Sequence, residues 1–330
     1  MQWNGFAIVR GASSARPPID VQRVSAQAQL ALDWVPAPVF LGHVHLAART
    51  DDEGSRRGAV GVVEAYLEAQ LLPGGDRVRL RGGAMFLASS RENVDALWEN
   101  PYFVSSSALN TWLGEEFRPI GVDVAWLRAD GLAFGATVYR GNDTFGALPP
   151  AQGWPLSDRW ILLGERISVG RGHYTSVSAE TDGRFGWAGR AGWSGRRAAF
   201  QLTHVNNRSD GLEYGELFNW NTRFDIVGGD WSLGDWTLAA EAGFGPTFLI
   251  VRGRRIVSDL RAGYVLASRR LPWGRASLRV DSFSNGAARG TALTAACFWT
   301  PSPRLTAGVE VLTTGEARRV LAQVRYGFGF

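Results

Sequence analysis

Two neighbouring segments of the chain carry charged side chains at alternate positions. Glu64 and Glu68 lie in GVVEAYLEAQLL, and Arg77, Arg79 and Arg81 lie in DRVRLRGGAMF. Alternate side chains of a β-strand point to the same face, so each segment predicts a strand with one charged face and one apolar face. Rows of charge of this kind select ions and polar solutes where they line a pore.

The short stretch PGGD at 73–76 predicts a turn that pairs these two strands in antiparallel fashion. Opposite charges placed directly across two strands attract by roughly 0.2–1 kcal/mol per pair. The polar faces coincide, and so do the apolar faces. Folding about 73–74 predicts three cross-strand pairs: Gln70 with Arg77, Glu68 with Arg79 and Tyr66 with Arg81.

The histidines and serines could in principle support metal binding or hydrolysis. His43 and His45 in FLGHVHLAA share one strand face and could bind a metal, but no third metal ligand is evident, and a polar lumen is the better explanation. His173 and His204 are isolated, and Ser105–Ser107 lies far from every histidine in sequence, so no triad can be read. The sequence predicts no catalytic residue, no metal site and no cofactor.

Composition excludes several classes of protein. The 330 residues carry a net charge of +4, which gives no support to nucleic-acid binding, and all 35 basic residues are arginine. One cysteine, Cys297, excludes an intramolecular disulfide framework. No run of 18 apolar residues predicts a transmembrane helix. The first residues lack the basic start and apolar core of a secretory signal, so we expect an exported protein to be represented here by its mature chain.

The elements that carry these residues are alternating segments of about ten residues, which are typical of transmembrane barrel strands. Short connections alternate with longer polar ones along most of the chain, and no linker divides it. We predict one all-β domain over 1–330, a transmembrane antiparallel up-and-down β-barrel of 16 or 18 strands, with uncertain strands near 159–182. The short connections are 35–38, 73–76, 129–131, 194–197, 232–235, 272–275 and 302–304, and the longer ones are 11–21, 50–58, 89–117, 141–157, 207–216 and 245–255.

The same alternation in later segments predicts further lumen-facing and lipid-facing residues. In each segment the face that carries charge is assigned to the lumen and the apolar face to lipid. A soluble β-sandwich explains each strand alone, but explains less well why mixed arginine and carboxylate faces recur along the chain. The predicted lumen residues are Arg223, Glu241, Arg261 and Arg279, and the predicted lipid-facing residues include Leu238, Leu260 and Val280.

The last segment, VLAQVRYGFGF, has an apolar face that ends in three aromatic residues, Tyr326, Phe328 and Phe330. This strand, the alternation along the whole chain and the position of the longest predicted loop, 89–117, resemble bacterial outer-membrane porins. The resemblance implies that the three aromatic residues form an assembly signal for the barrel assembly machinery. It also implies that the third outer loop folds into the lumen and narrows it.

The predicted constriction loop, 89–117, is rich in acid. Ser90 can cap a short helix through RENVDALW, which Asn100-Pro101 would end. Carboxylates on the loop facing arginines on the wall would create a field across the pore; the alternative is an outer lid whose charges are solvated. The loop carboxylates are Glu92, Asp95, Glu99, Glu115 and Glu116, and the wall arginines are Arg77, Arg79, Arg81 and Arg118.

The sequence therefore predicts a bacterial outer-membrane channel for passive diffusion of small hydrophilic solutes or ions, and not an enzyme. The alternatives are a barrel hydrolase with its site at the outer rim and a non-conducting structural or assembly barrel. The expected partners are outer-membrane lipid and lipopolysaccharide, the barrel assembly machinery and small solutes, with no nucleic acid. By the porin resemblance alone, a homotrimer is possible.

Overall fold

The structure of the protein is a computed structural model, which describes residues 1–14, 24–50, 60–72, 74–87, 89–94, 96–152, 161–170, 172–315 and 317–329. None of the helices in these ranges is long and apolar enough to cross a membrane.

Within the described ranges, sixteen strands form one closed antiparallel barrel, and four short strands form a separate sheet. Each barrel strand pairs with its neighbour along the chain, and β1 closes the ring against β20. The barrel strands are β1 (Gln2–Ser14), β2 (Val24–Ala37), β3 (Phe40–Arg49), β4 (Val60–Leu71), β5 (Arg77–Ala84), β6 (Ile120–Leu127), β7 (Leu132–Arg140), β10 (Gly186–Ser194), β11 (Ala198–Asn206), β14 (Asn221–Leu233), β15 (Trp236–Val251), β16 (Arg254–Leu271), β17 (Gly274–Ser284), β18 (Arg289–Ser302), β19 (Leu305–Thr314) and β20 (Arg318–Gly329).

The remaining elements lie in three long connections. A 3₁₀ helix (Ala96–Trp98) and helix α1 (Ala108–Glu116) follow β5, and helix α2 (Leu148–Gln152) follows β7. The helix predicted from Ser90 through RENVDALW is therefore reduced to the 3₁₀ helix. The α-helix instead begins after Ser107, whose side chain accepts the Asn110 N–H at 3.1 Å. The small sheet comprises β8 (Arg166–Gly170), β9 (His173–Ser176), β12 (Glu213–Tyr214) and β13 (Leu217–Phe218).

Connections alternate in length between the two ends of the barrel. We call the end that holds the chain termini the turn end and the opposite end the loop end. Two differences from the predicted connections stand out. The connection after β7, 141–185, is longer than the one after β5, 85–119, and the described part of the uncertain segment 159–182, residues 161–170 and 172–182, lies outside the barrel wall. The predicted loop 245–255 is a tight turn, because β15 and β16 continue to Val251 and from Arg254.

The β4–β5 hairpin has the predicted faces but a different register. Gln70 pairs with Arg79 and Glu68 with Arg81, a shift of two residues from the predicted pairs. The turn centres on Gly74 and Gly75, whose φ values of 60° and 94° lie in the region that glycine adopts without strain. A shift of two residues keeps every side chain on its face, so the charged faces still coincide.

The outer surface of the barrel carries an apolar band edged by tryptophan at the turn end. Both features match a lipid-facing barrel wall, where aromatic girdles mark the interfaces. The exposed band residues include Leu67, Leu80, Val124, Phe134, Leu202, Val227, Leu238, Val265, Val280, Leu293, Val309 and Val324. Exposed tryptophans close to the short turns are Trp34, Trp126, Trp193, Trp231, Trp236, Trp273 and Trp299.

Two strands have their faces reversed relative to the sequence prediction. In β14, Phe224 is buried and points into the barrel, whereas Arg223 is exposed on the outside. In β16, Leu260 is 2% exposed, and Arg261 is exposed on the outside. The prediction that Arg223 and Arg261 line the pore is therefore wrong, as is the outward assignment of Leu260. At this height the outside lies just above the apolar band, and the inside is filled by protein.

Candidate pore and its inward loop

The connection between β5 and β6, residues 85–119, enters the barrel and is called the inward loop below. Helix α1 lies against β15, β16 and β17 inside the barrel. Leu109, Trp112 and Leu113 from α1 pack with inward-facing Phe224 and Leu260 in one buried apolar cluster. Apolar packing thus holds the loop against the wall β14–β17, which we call the filled wall.

One glycine on the filled wall is required by this packing. A Cβ added to Gly243 on β15 would lie 2.5 Å from Leu109 Cδ1 and 2.6 Å from Phe224 Cε1. Real Cβ atoms do not approach so closely, so a larger residue here would push α1 away from the wall.

A buried arginine on the filled wall anchors the inward loop. Arg279 on β17 is fully buried, and its Nη1 donates to Glu92 at 2.5 Å and to the Ser105 carbonyl at 3.0 Å. Its Nε donates to Asp281 at 2.7 Å, and its guanidinium lies 4.5 Å from the centre of the Phe103 ring. Charge-assisted bonds in a buried site are strong and directional, so Arg279 fixes both limbs of the loop at once.

Two buried carboxylates on the wall complete the anchoring. Glu310 on β19 accepts the Val104 N–H at 2.6 Å and the Ser105 hydroxyl at 2.6 Å. Glu241 on β15 accepts the Ser90 hydroxyl at 2.7 Å and the Tyr264 hydroxyl at 2.6 Å. The sequence predicts that Glu241 lines the pore. The structure places it inside the barrel but buries it against the loop.

The inward loop also reaches the opposite side of the barrel. Glu64 on β4 accepts the Phe86 N–H at 2.9 Å and the Trp98 indole N–H at 2.6 Å. Strands β4 and β16 lie opposite each other in the closed strand order. The loop contacts β4 at Phe86, reaches the filled wall at Glu92 and contacts β4 again at Trp98. It therefore divides the lumen rather than following one side.

The wall on the β2–β7 side faces inward with charged side chains and is called the polar wall. Asp33 lies 2.6 Å from His43 Nδ1, and Arg81 Nε donates to Glu68 at 2.6 Å. These side chains retain partial exposure to solvent, apart from Glu68, which is buried. The polar wall is thus paired but hydrated.

The part of this wall that lies beyond the β4–β5 hairpin was not predicted from the sequence. Asp123 on β6 faces Arg79 at 3.7 Å and also accepts a hydrogen bond from Arg190 on β10. The signal was present, since Asp123 and Arg190 occupy inward positions of alternating strands. The contact between them could not be predicted, because it depends on the pairing of β7 with β10 in the folded barrel.

A small cavity lies between the inward loop and the wall formed by β1, β2 and β20. Its volume is about 70 Å³, and amides, one guanidinium and one indole line much of it. Arg10 Nη2 donates to Gln323 at 3.0 Å, and Gln29 Oε1 lies 2.7 Å from His45 Nε2. The cavity lies beside Trp98 of the inward loop.

The predicted acidic face of the loop does not form as expected. Glu92 and Glu116 are buried at 0% and 3% exposure, in contacts with protein donors. Glu99 pairs with Arg325 on β20. Asp95 and the side chain of Glu115 lie outside the described residues. The field expected between loop acids and wall arginines therefore has no support from the acids whose positions are described.

Arg118 belongs to the end of the inward loop and does not face a pore. It is fully buried and donates to the Gly114 carbonyl at 3.0 Å. Burial lowers the pKa of Arg118 to about 10, opposed by the charges of Glu64 and Glu165. The side chain remains protonated at neutral pH and acts as a structural link between the loop and its neighbours.

Three carboxylates gather at the loop end, above the membrane-spanning strands. Asp143, Glu180 and Asp182 bring oxygen atoms within 4.8 Å of one another. Burial, with the charges of Asp182 and Glu180, raises the pKa of Asp143 to about 6, although N–H and O–H donors from Thr181 oppose the shift. Asp143 therefore titrates near neutral pH.

The terminal strand has the predicted orientation. Tyr326 and Val324 are exposed on the outside, and Arg325 and Gln323 face inward. Phe328 pairs with Gly5 of β1 and lies with its ring 5.8 Å from that of Trp3. Phe330 lies outside the described residues. Strand β20 closes the barrel on β1, whereas the assembly-signal role of the three aromatic residues stays a prediction.

No family model and no curated protein matches the chain. Solved structures do. Salmonella typhi OmpF, in a complex with daunomycin, is 12% identical, with a TM-score of 0.63 over 99% of this chain and 97% of that chain. The trimer form of Vibrio cholerae OmpT is 10% identical, with a TM-score of 0.62 over 99% and 98%. A mutant of Rh. blastica porin is 10% identical, with a TM-score of 0.55 over 99% of both chains.

These similarities are too distant to transfer residue roles, but they cover the whole barrel. The closed sixteen-stranded ring, counted over the described ranges, shares the overall fold of these barrels. Together with the girdled apolar band, it gives the chain the fold of a porin-like β-barrel.

Proposed function

We propose that the protein is a passive outer-membrane channel for small hydrophilic solutes or ions, in which the inward loop confines the passage to the side of the polar wall. The observation that carries the proposal is the contrast between the two walls. Inward-facing Phe224 and Leu260 are covered by the loop, whereas inward-facing His43, Arg79 and Arg81 keep solvent contact. Charged side chains are retained facing inward where water reaches them.

The chemistry of the passage favours solutes that carry dipoles or mixed charge. Arginines alternate with carboxylates along the polar wall, so neither sign dominates over its length. Selectivity then depends on pore width and on the local order of charges rather than on one strong binding site. Passage by diffusion needs no bound cofactor and no covalent step.

Single-channel recording in planar bilayers tests this function. The purified barrel should give stable conductance steps, and Trp98→Ala should enlarge them, because the indole that reaches Glu64 narrows the passage. Trp299→Ala is the matched control: Trp299 is exposed on the outer wall, and its loss should leave conductance unchanged. If neither the native protein nor the Trp98→Ala variant conducts while both migrate as folded barrels, the channel proposal fails.

A non-conducting structural barrel is the second candidate, and one observation favours it. The inward loop contacts β4 at both Phe86 and Trp98 and contacts the opposite wall between them, so it spans the lumen. If the protein is a structural barrel, its native form does not conduct ions. A variant freed from its anchor at Arg279 would then conduct where the native protein does not, and this pattern separates the two candidates.

The hydrolase alternative has no supporting contact among the described residues. His43 and His204 each lie beside an aspartate, but the neighbours identified for them are acidic or aromatic side chains, with no serine hydroxyl bonded to either ring. A nucleophile needs a base within hydrogen-bond reach. We therefore propose a channel without enzymatic activity, which assays against ester and peptide substrates would contradict if Asp33→Asn abolished a measured turnover.

We also propose that the protein forms a homotrimer. The trimer form of Vibrio cholerae OmpT shares the fold. The outer wall here also has apolar recesses around Gly42, Gly82 and Leu67, where missing side chains would allow a neighbouring wall to approach. Gly82→Trp should lower the trimer fraction in mild detergent without unfolding the barrel. An unchanged molecular mass would contradict this interface.

A further inference from the structure

A basic recess lies on the outside of the barrel near the loop end. Arg184, Arg208 and Arg223 line it together with Asn206, Asn221 and Phe185, and its volume is about 410 Å³. Asn206 and Arg223 face each other across β11 and β14. Their chain neighbours Val205 and Phe224 are buried inside the barrel, so the recess opens away from the lumen and is separate from the passage.

The height of the recess is fixed by the strand register. Leu202 pairs with Val227, His204 pairs with Asp225 two residues further on, and the next outward pair is Asn206 with Arg223. Leu202 and Val227 are exposed residues of the apolar band. The recess therefore begins directly above the band, at the level where the lipid tails of an outer leaflet meet their headgroups.

The arginines of the recess have no carboxylate partner among the described residues. The nearby carboxylates are occupied by other donors: Asp225 lies 2.7 Å from His204 Nδ1, and Asp182 accepts Ser209 Oγ at 3.1 Å and the Asp210 N–H at 2.7 Å. Among the lining residues themselves no carboxylate occurs. Three guanidinium groups thus concentrate positive charge at one recess.

We propose that this recess binds the phosphorylated headgroup of an outer-leaflet lipid. Planar guanidinium forks match phosphate oxygens in pairs, and the two asparagine side chains supply further polar groups. Exposed Phe185 and the apolar band below offer contacts for the acyl chains of the same molecule. A soluble anion would use only the basic half of this surface, whereas a phosphorylated lipid uses both halves.

Native mass spectrometry of the folded barrel in detergent, titrated with diphosphorylated lipid A, tests the proposal. The native protein should retain lipid A in preference to phosphatidylcholine. The variant Arg184→Gln/Arg208→Gln/Arg223→Gln should lose lipid A affinity by about tenfold or more, because each basic side chain near an anionic surface adds to binding. The loss should shrink in high salt, where charges are screened.

A matched control removes the same charge from the same end of the barrel. Arg252, Arg254 and Arg289 are exposed at the loop end but do not line the recess. Their replacement by glutamine should change lipid A affinity by less than about twofold. Heat-dependent migration in gels verifies that both triple variants fold, and both should pass the same current as the native protein.

Three results overturn the proposal. Native affinity for lipid A in the recess variant would show that the recess is not the site. An equal loss in the control variant would show that only diffuse charge matters. Displacement of lipid A by inorganic phosphate at equal concentration would show a site for a soluble anion instead.

Discussion

The polar wall and the filled wall are built from the same kind of alternating strand, yet they use their inner faces in opposite ways. On β4 and β5 the inner face carries Glu68 and Arg81, which pair with each other at the edge of a hydrated space. On β14 and β16 it carries Phe224 and Leu260, which pack on helix α1. The face of a barrel strand that is apolar therefore depends on what fills the lumen at that height.

The largest effect expected from this contrast follows removal of the buried anchor. Arg279→Ala leaves Glu92 and Asp281 buried without their cation, and breaking such a pair costs about 3–5 kcal/mol. The cost falls on the inward loop, because the strand ladder of the barrel is untouched. We expect protease cleavage within the loop and larger conductance steps in bilayers.

The matched variant on the polar wall is Arg81→Ala. Its partner Glu68 can be rehydrated from the lumen, so the loss should be about 1 kcal/mol. Adding Glu92→Gln to Arg279→Ala should restore part of the loop's resistance to protease, because it removes one of the two buried carboxylates left without a cation. Equal protease sensitivity of Arg279→Ala and Arg81→Ala would contradict the distinction between the walls.

The second effect concerns the outer face of the filled wall. Val265 and Arg261 both point outward on β16, but Val265 belongs to the apolar band, and Arg261 lies nearer the loop end. Val265→Arg should destabilise the barrel by about 2–4 kcal/mol, whereas Arg261→Leu should change stability by less than about 1 kcal/mol. Urea unfolding in lipid vesicles measures both. A similar cost for the two would mean that the band extends over Arg261.

These residues also explain how far the sequence could predict the fold. Alternation correctly assigned the faces of β4, β5, β15, β17 and β20, where the charged face meets the lumen or a buried anchor. It failed on β14 and β16, because a charge just above the lipid band gives the same period-two pattern as a charge in the lumen. Only the position of helix α1, a contact distant in sequence, shows that Phe224 and Leu260 face inward.

The candidate site was less predictable than the fold. The sequence identified Arg279 and Glu241 as inward residues, and its resemblance to porins implied that the loop 89–117 folds into the lumen. It could not show that Glu92 would be neutralised by Arg279 rather than exposed to a pore, because the two residues meet only through the folded loop. Asp123 and Arg190 were missed for the same reason, since β6, β7 and β10 bring them together.

The third effect concerns the loop end of the barrel, where Asp143 lies. A carboxyl group whose pKa is raised in the folded state stabilises that state when protonated, so its contribution is complete below the unfolded value of 3.8 and is lost as pH rises through about 6. Asp143→Asn should therefore stabilise the loop end by about 1–2 kcal/mol at pH 7.5 and have little effect near pH 3.5. Hydrogen exchange of residues 180–183 reports the difference, and a benefit that is independent of pH would contradict it.

The smallest effect is expected in ion selectivity, and it separates inward from outward arginines. Arg79→Gln/Arg81→Gln removes the basic neighbour of Glu68 and leaves Asp123 with Arg190, so the reversal potential should move toward cation preference. A change of about threefold in the permeability ratio corresponds to about 0.6 kcal/mol. It should shrink at 1 M salt, where the screening length is about 3 Å. Arg223→Gln/Arg261→Gln removes the same charge from the outer face and should leave the reversal potential unchanged. If the outward pair shifts selectivity as much as the inward pair, ions do not pass beside the polar wall, and the proposed passage is wrong.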